Sequence, residues 1–369
     1  MAARILRIRL PLVFFVAIIG MVASGDATLG TGKDLDPNSS ADWLGVIAGD
    51  EAGSEIELAA EMAELFANDS PFRVVPVPGD SGLNNISRLL HDPHIDAGFV
   101  STDVLADTET QSSMPNLAGS LQVVARLCPQ EVHVLARAGI DSLADLAGKK
   151  VNFGPDGGSS AVTARTLFRA LNIEVEPVAL DSRAAVEQLK QGAIAASVFV
   201  GAKPMPLIAG TPANQGLHLL PVAFGAGLEA VYLPTGFDHD DYPNLIEMET
   251  EIPSVATGMV LLAAGSKDDP GHADRVAQLV DTLFSRFGEL KKDGRHPKWR
   301  EINLAASLPG LTRAPAAEAW LAQHLNEDAR RGAQAEIEAG AAQSNLHVGQ
   351  NQRDVLFKEY LEWQRAKGH

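Results

Sequence analysis

The sequence predicts an α/β fold, in which parallel strands are covered by helices. Short apolar runs alternate with amphipathic stretches between residues 43 and 200, which is typical of strand–helix units. Three candidate strands end in loops of glycine and small hydroxyl residues that directly precede a candidate helix. The chain has 369 residues, of which 46% are hydrophobic. It can therefore bury a sizeable core, and its length suggests about two domains.

Each predicted element of this alternating half is a short apolar strand or a helix with one apolar face. The first predicted helix, for example, has Ile56, Ala59, Ala63 and Phe66 on one face. The strands are predicted at 43–48, 72–77, 95–100, 121–126, 132–136, 150–153, 175–180 and 194–200, and the helices at 54–68, 84–90, 160–171 and 183–191.

After residue 223 the alternation gives way to other patterns, and from residue 311 the chain becomes rich in Ala, Glu, Gln and Arg. That composition predicts a C-terminal helical extension over residues 311–369. The strands of this part are predicted at 230–233 and 257–264, and the helices at 272–290, 316–341 and 353–365.

The first 27 residues have the pattern of a secretory signal peptide. Arginines precede an apolar run, Leu10–Val22, that is shorter than the ~20 residues of a membrane-spanning helix. Small residues follow, and cleavage after Gly25 or after Ala27 fits them. We therefore expect a periplasmic protein, with an uncleaved membrane anchor at 1–27 as the alternative.

Charge and cysteine content exclude several classes of protein. The chain has 30 Lys and Arg residues against 47 Asp and Glu residues, which gives a formal net charge of −17. Such a surface repels phosphate backbones, so nucleic acid is not an expected partner. The single cysteine, Cys128, excludes an intrachain disulfide and a thiolate metal site. We expect no cofactor and no metal.

The three glycine loops, Gly49–Ser54, Gly79–Gly82 and Gly154–Ser160, form the candidate site. Each precedes a predicted helix, so each can aim backbone amides and the positive end of a helix dipole at one place. Such a place suits a carboxylate or a phosphate, and ligands of open α/β sheets bind at the carboxyl ends of strands. One loop alone also fits ordinary turn and capping chemistry, but three of them favour a shared cleft.

These loops do not carry a nucleotide-binding motif. Gly154–Ser160 lacks both the lysine of a phosphate-binding loop and the G-x-G-x-x-G spacing of a dinucleotide fingerprint. The acidic surface does not exclude an anionic ligand, because salt screens surface charges beyond about 8 Å. A buried carboxylate depends instead on its immediate hydrogen-bond donors.

The segment over residues 142–171, SLADLAGKKVNFGPDGGSSAVTARTLFRAL, resembles the TAXI family of TRAP transporter solute receptors, which are extracytoplasmic solute-binding proteins. Further segments resemble the family in the same order, so the resemblance covers roughly residues 43–315. They are Gly79-Asp80-Ser81 with Asn84-Asn85, Asp96–Asp103, Leu127–Val134, Leu189–Ala196, Gly201–Pro206 and Val255–Leu262.

The resemblance implies a type II periplasmic binding protein fold, with two α/β domains that are joined by two crossing segments and close on a ligand by hinge motion. Domain I would comprise residues 43–125 and 225–310, and domain II residues 126–224. The receptor would capture a small organic acid, either a carboxylate or an amino-acid-like solute, and deliver it to a TRAP membrane permease. No catalysis is implied.

The sequence also departs from the family pattern. The first loop has Gly53-Ser54-Glu55 where an aromatic residue usually follows the glycines, and Cys128 stands where an aromatic residue is common. Both changes alter the walls of the expected pocket. The extension after Leu311 is longer than the family needs. These differences leave the identity of the ligand and a further role for the extension open.

The predicted ligand contacts are polar residues of the loops and strand ends. Lys203 is the candidate cation because it follows a strand end and Gly201, although a surface lysine fits equally well. His133 is assigned to the hinge or the pocket wall. The full set is Ser54, Ser81, Asn84, Thr102, His133, Ser159, Ser160 and Lys203.

Two other features suggest rival functions. Asp238–Asp241 has the residues for a cation site, although a solvated acidic loop fits better, and Cys128 next to Pro129 is a potential nucleophile, although a buried thiol fits better. An enzyme on the same fold is therefore one alternative. A ligand-sensing module for a membrane signalling receptor is the other, and the helical extension motivates it.

Overall fold

The computed structural model describes residues 43–67, 72–225 and 227–324. The predicted signal peptide at 1–27, the predicted helix at 353–365 and most of the predicted helix at 316–341 lie outside these residues. Within the described ranges, no helix is both long enough and apolar enough to cross a membrane.

The described chain has eleven strands in one sheet. They are β1 (Trp43–Ile47), β2 (Arg73–Val77), β3 (Ala97–Ser101), β4 (Leu121–Arg137), β5 (Lys150–Asn152), β6 (Glu176–Val178), β7 (Ala196–Gly201), β8 (Leu217–Leu219), β9 (Leu233–Phe237), β10 (Ile252–Ala264) and β11 (Thr312–Arg313).

Helices alternate with these strands along most of the chain. They are α1 (Ser54–Glu64), α2 (Leu83–His91), α3 (Thr102–Ala106), α4 (Thr108–Ser113), α5 (Leu117–Ser120), α6 (Ser159–Ala170), α7 (Ser182–Lys190), α8 (Pro206–Ala209), α9 (His272–Ser285) and α10 (Phe287–Leu290).

The strand order confirms the predicted α/β fold class. The sheet runs β2-β1-β3-β10-β4-β7-β5-β6. At one end β1 is parallel to β2 and β3, and at the other β5 is parallel to β6 and β7. Between these two parallel groups lie β10 and β4, which are antiparallel to each other and to their outer neighbours. This is the arrangement of a type II periplasmic binding protein.

Strands β4 and β10 connect two clusters of buried apolar side chains. Val124 of β4 and Leu261 of β10 pack in a cluster with β1, α1 and α9. Val132 of β4 and Val255 of β10 pack in another cluster with β5, α6 and β7. These two long strands therefore cross from one group of elements to the other.

The strands predicted at 121–126 and 132–136 are one continuous strand. Residues 129–131 between them stay paired with β10, with Pro129 opposite Gly258 and Glu131 opposite Ala256. Proline lacks a backbone amide, so it weakens a strand prediction. A shift in pairing register just after Gly258 accompanies it here.

The prediction of a strand at 230–233 is wrong. Residues 229–231 form a turn, and the strand begins only at residue 233. The Tyr232 amide donates to the Leu228 carbonyl at 2.9 Å, and the buried Tyr232 hydroxyl donates to the Asp103 carboxylate at 3.0 Å. The local hydrogen bond and the long-range hydrogen bond to Asp103 hold the segment as a turn.

The helix predicted at 272–290 is two helices, α9 and α10. The backbone leaves helical geometry at Arg286, where φ is −104° and ψ is 9°. The Arg286 guanidinium donates to the Leu65 carbonyl, which lies at the end of α1. Because this contact is to a residue far away in the sequence, the local apolar pattern gives no sign of the break between the two helices.

The described start of the C-terminal extension packs against the rest of the chain. Residues 315–324 are helical. Ala317 and Leu321 are buried in the cluster that contains α1 and α9. The Trp320 ring meets Phe284 of α9 edge-on, with the ring centroids 5.3 Å apart.

The predicted domain bounds stay a prediction. Side-chain packing suggests a different position for one of them, the predicted return from domain II to domain I near residue 225. Tyr232 packs among residues of β5, α6 and β7. Phe237 and Tyr242 pack among residues of α7 and β8. Since all of these elements lie within the predicted domain II, we propose that the return crossing lies within β10.

Candidate ligand-binding cleft

The three glycine loops meet at one cleft, as the sequence predicts. Strands β1, β2 and β5 each lead into one of these loops. The cleft holds about 40 Å³ of space, which is little more than one or two water molecules occupy. Its lining includes Gly49, Asp50, Gly53, Glu55, Gly79, Asp80, Ser81, Asn152, Gly154, Pro155, Gly158, Ser159, Ser160 and Ser182, with Val198, Phe199, Val200 and Met205 as its apolar wall.

Three helices start at the cleft with a glycine at the N-cap. Gly53 precedes α1, Gly82 precedes α2 and Gly158 precedes α6, and none of these N-caps supplies a side-chain hydrogen bond to its helix. The first-turn amides of a helix have no intrahelical acceptor, and the helix dipole adds partial positive charge there. The backbone at these three helix N-termini therefore gives the cleft a positive potential without any basic side chain.

Asn85, rather than Asn84, positions the second loop. The buried Asn85 amide donates to the carbonyl oxygens of Ala48 at 2.7 Å and Phe99 at 2.9 Å, and its Oδ1 accepts the Asp80 amide at 3.0 Å. This one side chain thus ties the ends of β1 and β3 to the loop after β2. The pair Asn84-Asn85 is visible in the sequence, but burial alone separates their roles.

The second and third loops are hydrogen-bonded directly to each other. The Leu83 amide donates to the Gly157 carbonyl at 2.7 Å, and the Ser159 amide donates to the Asp80 carbonyl at 2.9 Å. Asn84 Nδ2 donates to the Asp156 carbonyl at 3.0 Å. These three cross-loop hydrogen bonds close the cleft on this side.

Gly82 is required for this close approach of the two loops. A β-carbon at Gly82 would lie 2.2 Å from the Gly157 carbonyl oxygen and 2.6 Å from the carbonyl carbon of Gly158. Both distances are far inside van der Waals contact with backbone atoms that cannot move independently. Any side chain at this position would force the loops apart.

The predicted serines surround the cleft, and Ser81 has the most informative environment. Its Oγ is buried and has no hydrogen-bond partner among the described residues, although it lines the cleft. Its backbone has a φ of 54°, which is uncommon for a residue with a β-carbon and is often found at functional sites. Ser160 Oγ accepts the Val200 amide at 3.1 Å, and Ser159 is buried beside it.

Ser54 lies next to the cleft lining rather than in it. Its Oγ is buried and, within the described ranges, has no hydrogen-bond partner. A β-carbon at Gly201, the last residue of β7, would be 3.2 Å from this oxygen. The first loop therefore contacts the strand that forms the opposite wall.

Of the eight predicted contacts, only Ser81, Ser159 and Ser160 line the cleft, and Ser54, Asn84, Thr102, His133 and Lys203 lie outside the lining. Thr102 Oγ1 accepts the Gly258 amide at 3.0 Å and is 3.2 Å from Thr257 Oγ1. Lys203 Nζ donates to Asp241 at 2.8 Å and to the Gly236 carbonyl at 2.7 Å. Lys203 is thus held by local partners, and we do not include it among the cleft residues.

His133 is packed inside the protein on strand β4. Its ring stacks on Phe237 with centroids 4.4 Å apart, and Nε2 is 2.7 Å from the Tyr242 hydroxyl. Burial lowers the pKa of His133 to about 3, so the ring is neutral at physiological pH. Its position on a crossing strand fits a hinge better than a ligand contact, and the hinge assignment stays a prediction.

Glu55 is the cleft residue that the sequence does not reveal. It is 2% exposed, and a β-carbon at Gly49 or Gly53 would lie 2.8 Å or 2.7 Å from its Oε2. The two glycines therefore leave the space that this carboxylate occupies. Gln130 Nε2 of β4 donates to Glu55 Oε1. Burial raises the pKa of Glu55 to about 7, and the charge of Asp50 adds to the rise.

The two alternative chemical sites, Cys128 and the acidic loop Asp238–Asp241, contain residues with ordinary structural roles. Cys128 is fully buried in the core, and burial raises the pKa of its thiol far above the normal range, so it is not a nucleophile. Asp241 of the acidic loop pairs with Lys203. In the described part of the chain, no group of three or more His, Cys, Asp or Glu residues is placed to hold a metal ion.

The strand order and the cleft are those of the type II periplasmic binding protein fold. Residues 77–319 match the NMT1-like family, which covers more than half of the chain. The protein belongs to the NMT1-like family.

Solved structures with a similar fold have low sequence identity to this chain. The arginine-bound substrate-binding protein AbpA from Streptococcus pneumoniae is 14% identical over 67% of this chain and 90% of its own, with a TM-score of 0.38. A glutathione-bound periplasmic binding protein from Brucella ovis is 14% identical over 70% and 74%, with a TM-score of 0.40. YhfZ from Shigella flexneri is 13% identical over 69% and 94%, also at 0.40. Similarity at this level does not identify a ligand.

Proposed function

We propose that the protein is an extracytoplasmic solute receptor that binds a small carboxylate or amino-acid-like solute between its three glycine loops. The observation that carries this proposal is the buried Ser81 hydroxyl, which faces the cleft without a partner in the described residues. A buried polar group normally has a hydrogen-bond partner, because leaving it without one costs about 1–3 kcal/mol. A bound solute supplies that partner.

The positive ends of α1, α2 and α6 provide the attraction for a solute carboxylate. A hydrogen bond to a charged group contributes about 1.5–3 kcal/mol, and a helix N-terminus adds about 0.3–1 kcal/mol. Binding with a micromolar dissociation constant needs about 8 kcal/mol. Three or four such hydrogen bonds, from the Ser81 hydroxyl and from loop amides other than those of Leu83 and Ser159, reach that value without a basic side chain.

Binding requires the cleft to open. The space of about 40 Å³ is too small for an amino acid or a dicarboxylate, so the second and third loops must separate to admit one. The three cross-loop hydrogen bonds would break on opening and form again on closure. Strands β4 and β10 cross between the two groups of elements and are the natural hinge.

The proposed partner is a TRAP-type membrane permease, which takes the solute from the closed receptor. The TAXI-like segments over roughly residues 43–315 support this assignment, and so does membership of the NMT1-like family over residues 77–319. The pattern of residues 1–27 supports export to the periplasm. With Cys128 buried in the core, we propose binding without catalysis.

A thermal-shift screen of amino acids and organic acids tests the receptor proposal, followed by calorimetric titration of the strongest hit. A solute at 100 times its dissociation constant should stabilise the fold by about 2.7 kcal/mol. The Ser81→Ala variant should bind it roughly 3- to 10-fold more weakly, as expected for one hydrogen bond.

Ser87→Ala is the matched control, because Ser87 lies on α2 outside the cleft lining. Ser81→Ala should not lower the stability of the free protein, since the hydroxyl has no partner to lose within the described chain. Equal affinity of both variants, or no hit in the screen, would contradict the proposal. Uptake of the solute into vesicles that contain the permease, dependent on added receptor, would separate transport from sensing.

A further inference from the structure

The cleft combines positive helix ends with negative side chains. Asp50, Glu55 and Asp80 all line it, and the lining within the described chain contains no Lys, Arg or His. Carboxylates on their own are not a site, since many acidic groups are merely solvated or capped. Here the buried Ser81 hydroxyl, without a partner in the described residues, independently marks the same space as a place for a ligand.

Glu55 differs from the two other carboxylates in its burial, because it is fully buried whereas Asp50 and Asp80 are half-buried. Asp80 accepts from the Gly82 amide at 3.0 Å and from Asn84 Nδ2 at 2.5 Å, and Asp50 accepts from the Ala52 amide at 2.7 Å. Each therefore has a local structural role. Glu55 accepts its own backbone amide and the neutral Gln130 side-chain amide, and no basic side chain pairs with it in the described part of the chain.

Other buried acids in the protein have their partners built in. Asp96 is paired with Arg275, and Glu131 is paired with Lys298 at 2.7 Å. Asp103 is held by the Thr163 and Tyr232 hydroxyls at 2.5 Å and 3.0 Å. A buried carboxylate without a cation is costly once ionised, unless an incoming group supplies the charge.

We propose that Glu55 is a specificity-determining residue that accepts hydrogen bonds from a cationic group of the solute, an ammonium or a guanidinium. The cleft then selects cationic or zwitterionic solutes, with any solute carboxylate at the helix ends, and disfavours plain dicarboxylates. This inference rests on the proposed receptor function and narrows its ligand class.

The experiment compares probe pairs that differ in one cationic group. L-arginine is paired with L-citrulline, and L-glutamate with glutarate, and each is titrated into the full chain by calorimetry. The same comparison is made for the tightest binder of the broad screen and its analogue without the cationic group. The cationic member should bind at least about 10-fold more tightly, since it alone supplies the partner charge for the buried carboxylate.

Glu55→Gln tests the residue, and Glu51→Gln is the control with the same change in net charge. Glu51 lies on the same loop but is exposed and outside the cleft lining. Glu55→Gln should remove the preference for the cationic member, whereas Glu51→Gln should retain it.

The outcomes separate this inference from the receptor proposal. If the tightest binder lacks a cationic group, or if Glu55→Gln keeps the preference, the inference is overturned while the receptor proposal stands. If no compound binds, both are overturned.

Discussion

Asp96 and Glu55 are two carboxylates with nearly the same burial and opposite electrostatic environments. Asp96 is 1% exposed, and Glu55 is 2% exposed. Burial raises the pKa of Asp96, but hydrogen bonds from His272 and Arg275 outweigh it and hold that pKa below its usual value. Burial raises the pKa of Glu55 to about 7, because no cation lies against it in the described structure.

The comparison teaches how to distinguish a structural charge from one available to a ligand. Arg275 donates to both oxygens of Asp96, at 3.0 Å and 2.7 Å, and His272 Nδ1 lies 2.9 Å from the carboxylate. This network fastens α9 to the start of β3. Glu55 lacks such a partner and borders the cleft, so the missing charge can come from outside.

The largest expected effect is the loss of stability when Asp96 is replaced. The Asp96→Asn variant leaves the buried Arg275 guanidinium with Asp269 as its remaining carboxylate partner, which should lower the free energy of unfolding by about 3 kcal/mol. Equilibrium denaturation in urea measures it. Asp268→Asn, an exposed residue in the same region, should change stability by less than about 0.5 kcal/mol. Equal stability of the two variants would mean that the Asp96 network is not structural.

The next effect is the pH dependence that Glu55 gives to stability. Its pKa is raised from 4.5 to about 7 on folding, so the folded protein binds the proton more tightly than the unfolded chain does. The protonated Glu55 therefore stabilises the folded state by about 3 kcal/mol. This contribution is fully present below about pH 4.5 and is lost as the pH rises through about 7.

Urea denaturation of wild type and Glu55→Gln across this pH range checks the sign. The groups around Glu55 are the Asp50 carboxylate on its loop and, on β4, the neutral Gln130 amide and the buried Cys128 thiol. The wild type should lose stability relative to Glu55→Gln as the pH rises. Parallel curves for the two proteins would show that Glu55 keeps its ordinary pKa.

A smaller effect is expected at the contact between the second and third loops. Gly82→Ala should weaken solute binding by about 10-fold, because its β-carbon would meet the Gly157 carbonyl and hold the cleft open. Calorimetric titration measures the change. Gly288→Ala is the control, since a β-carbon there meets nothing within 4 Å. Unchanged affinity in Gly82→Ala would show that closure does not bring these loops together.

The smallest effect is expected from Asn84→Ala. This change removes the hydrogen bond to the Asp156 carbonyl and the bond to Asp80, both at a partly exposed site. Affinity should fall roughly 3- to 10-fold, mainly through faster dissociation of the solute. Stopped-flow measurement of the dissociation rate tests it, and an unchanged rate would exclude Asn84 from closure.

The same comparison shows what the sequence can predict. The three glycine loops and most strands and helices follow from local pattern, because each loop lies between a strand and the helix after it. The first two loops lie together because β1 and β2 are parallel neighbours, whereas the third follows β5 of the other parallel group and reaches the cleft through the long-range pairing of β4 and β10. The α/β fold class and the meeting of these loops are therefore confirmed, while the ligand contacts and the domain bounds stay predictions.

Long-range pairing explains what the sequence could not predict. Lys203 was assigned to the cleft from its place after a strand, but Asp241, 38 residues away, holds its ammonium. Glu55 has the position of a polar helix residue, and its burial depends on Gln130, 75 residues away on β4. The turn before β9 likewise depends on Asp103, 129 residues from Tyr232. Such partners leave no local signal.

A crystal structure of the protein with the tightest-binding solute of the screen is the most direct test of the central claim. The account predicts electron density between the three glycine loops, with a solute atom within hydrogen-bond distance of Ser81 Oγ and a solute nitrogen beside the Glu55 carboxylate. Density for the solute at another surface, with Ser81 and Glu55 still facing only protein and water, would contradict it.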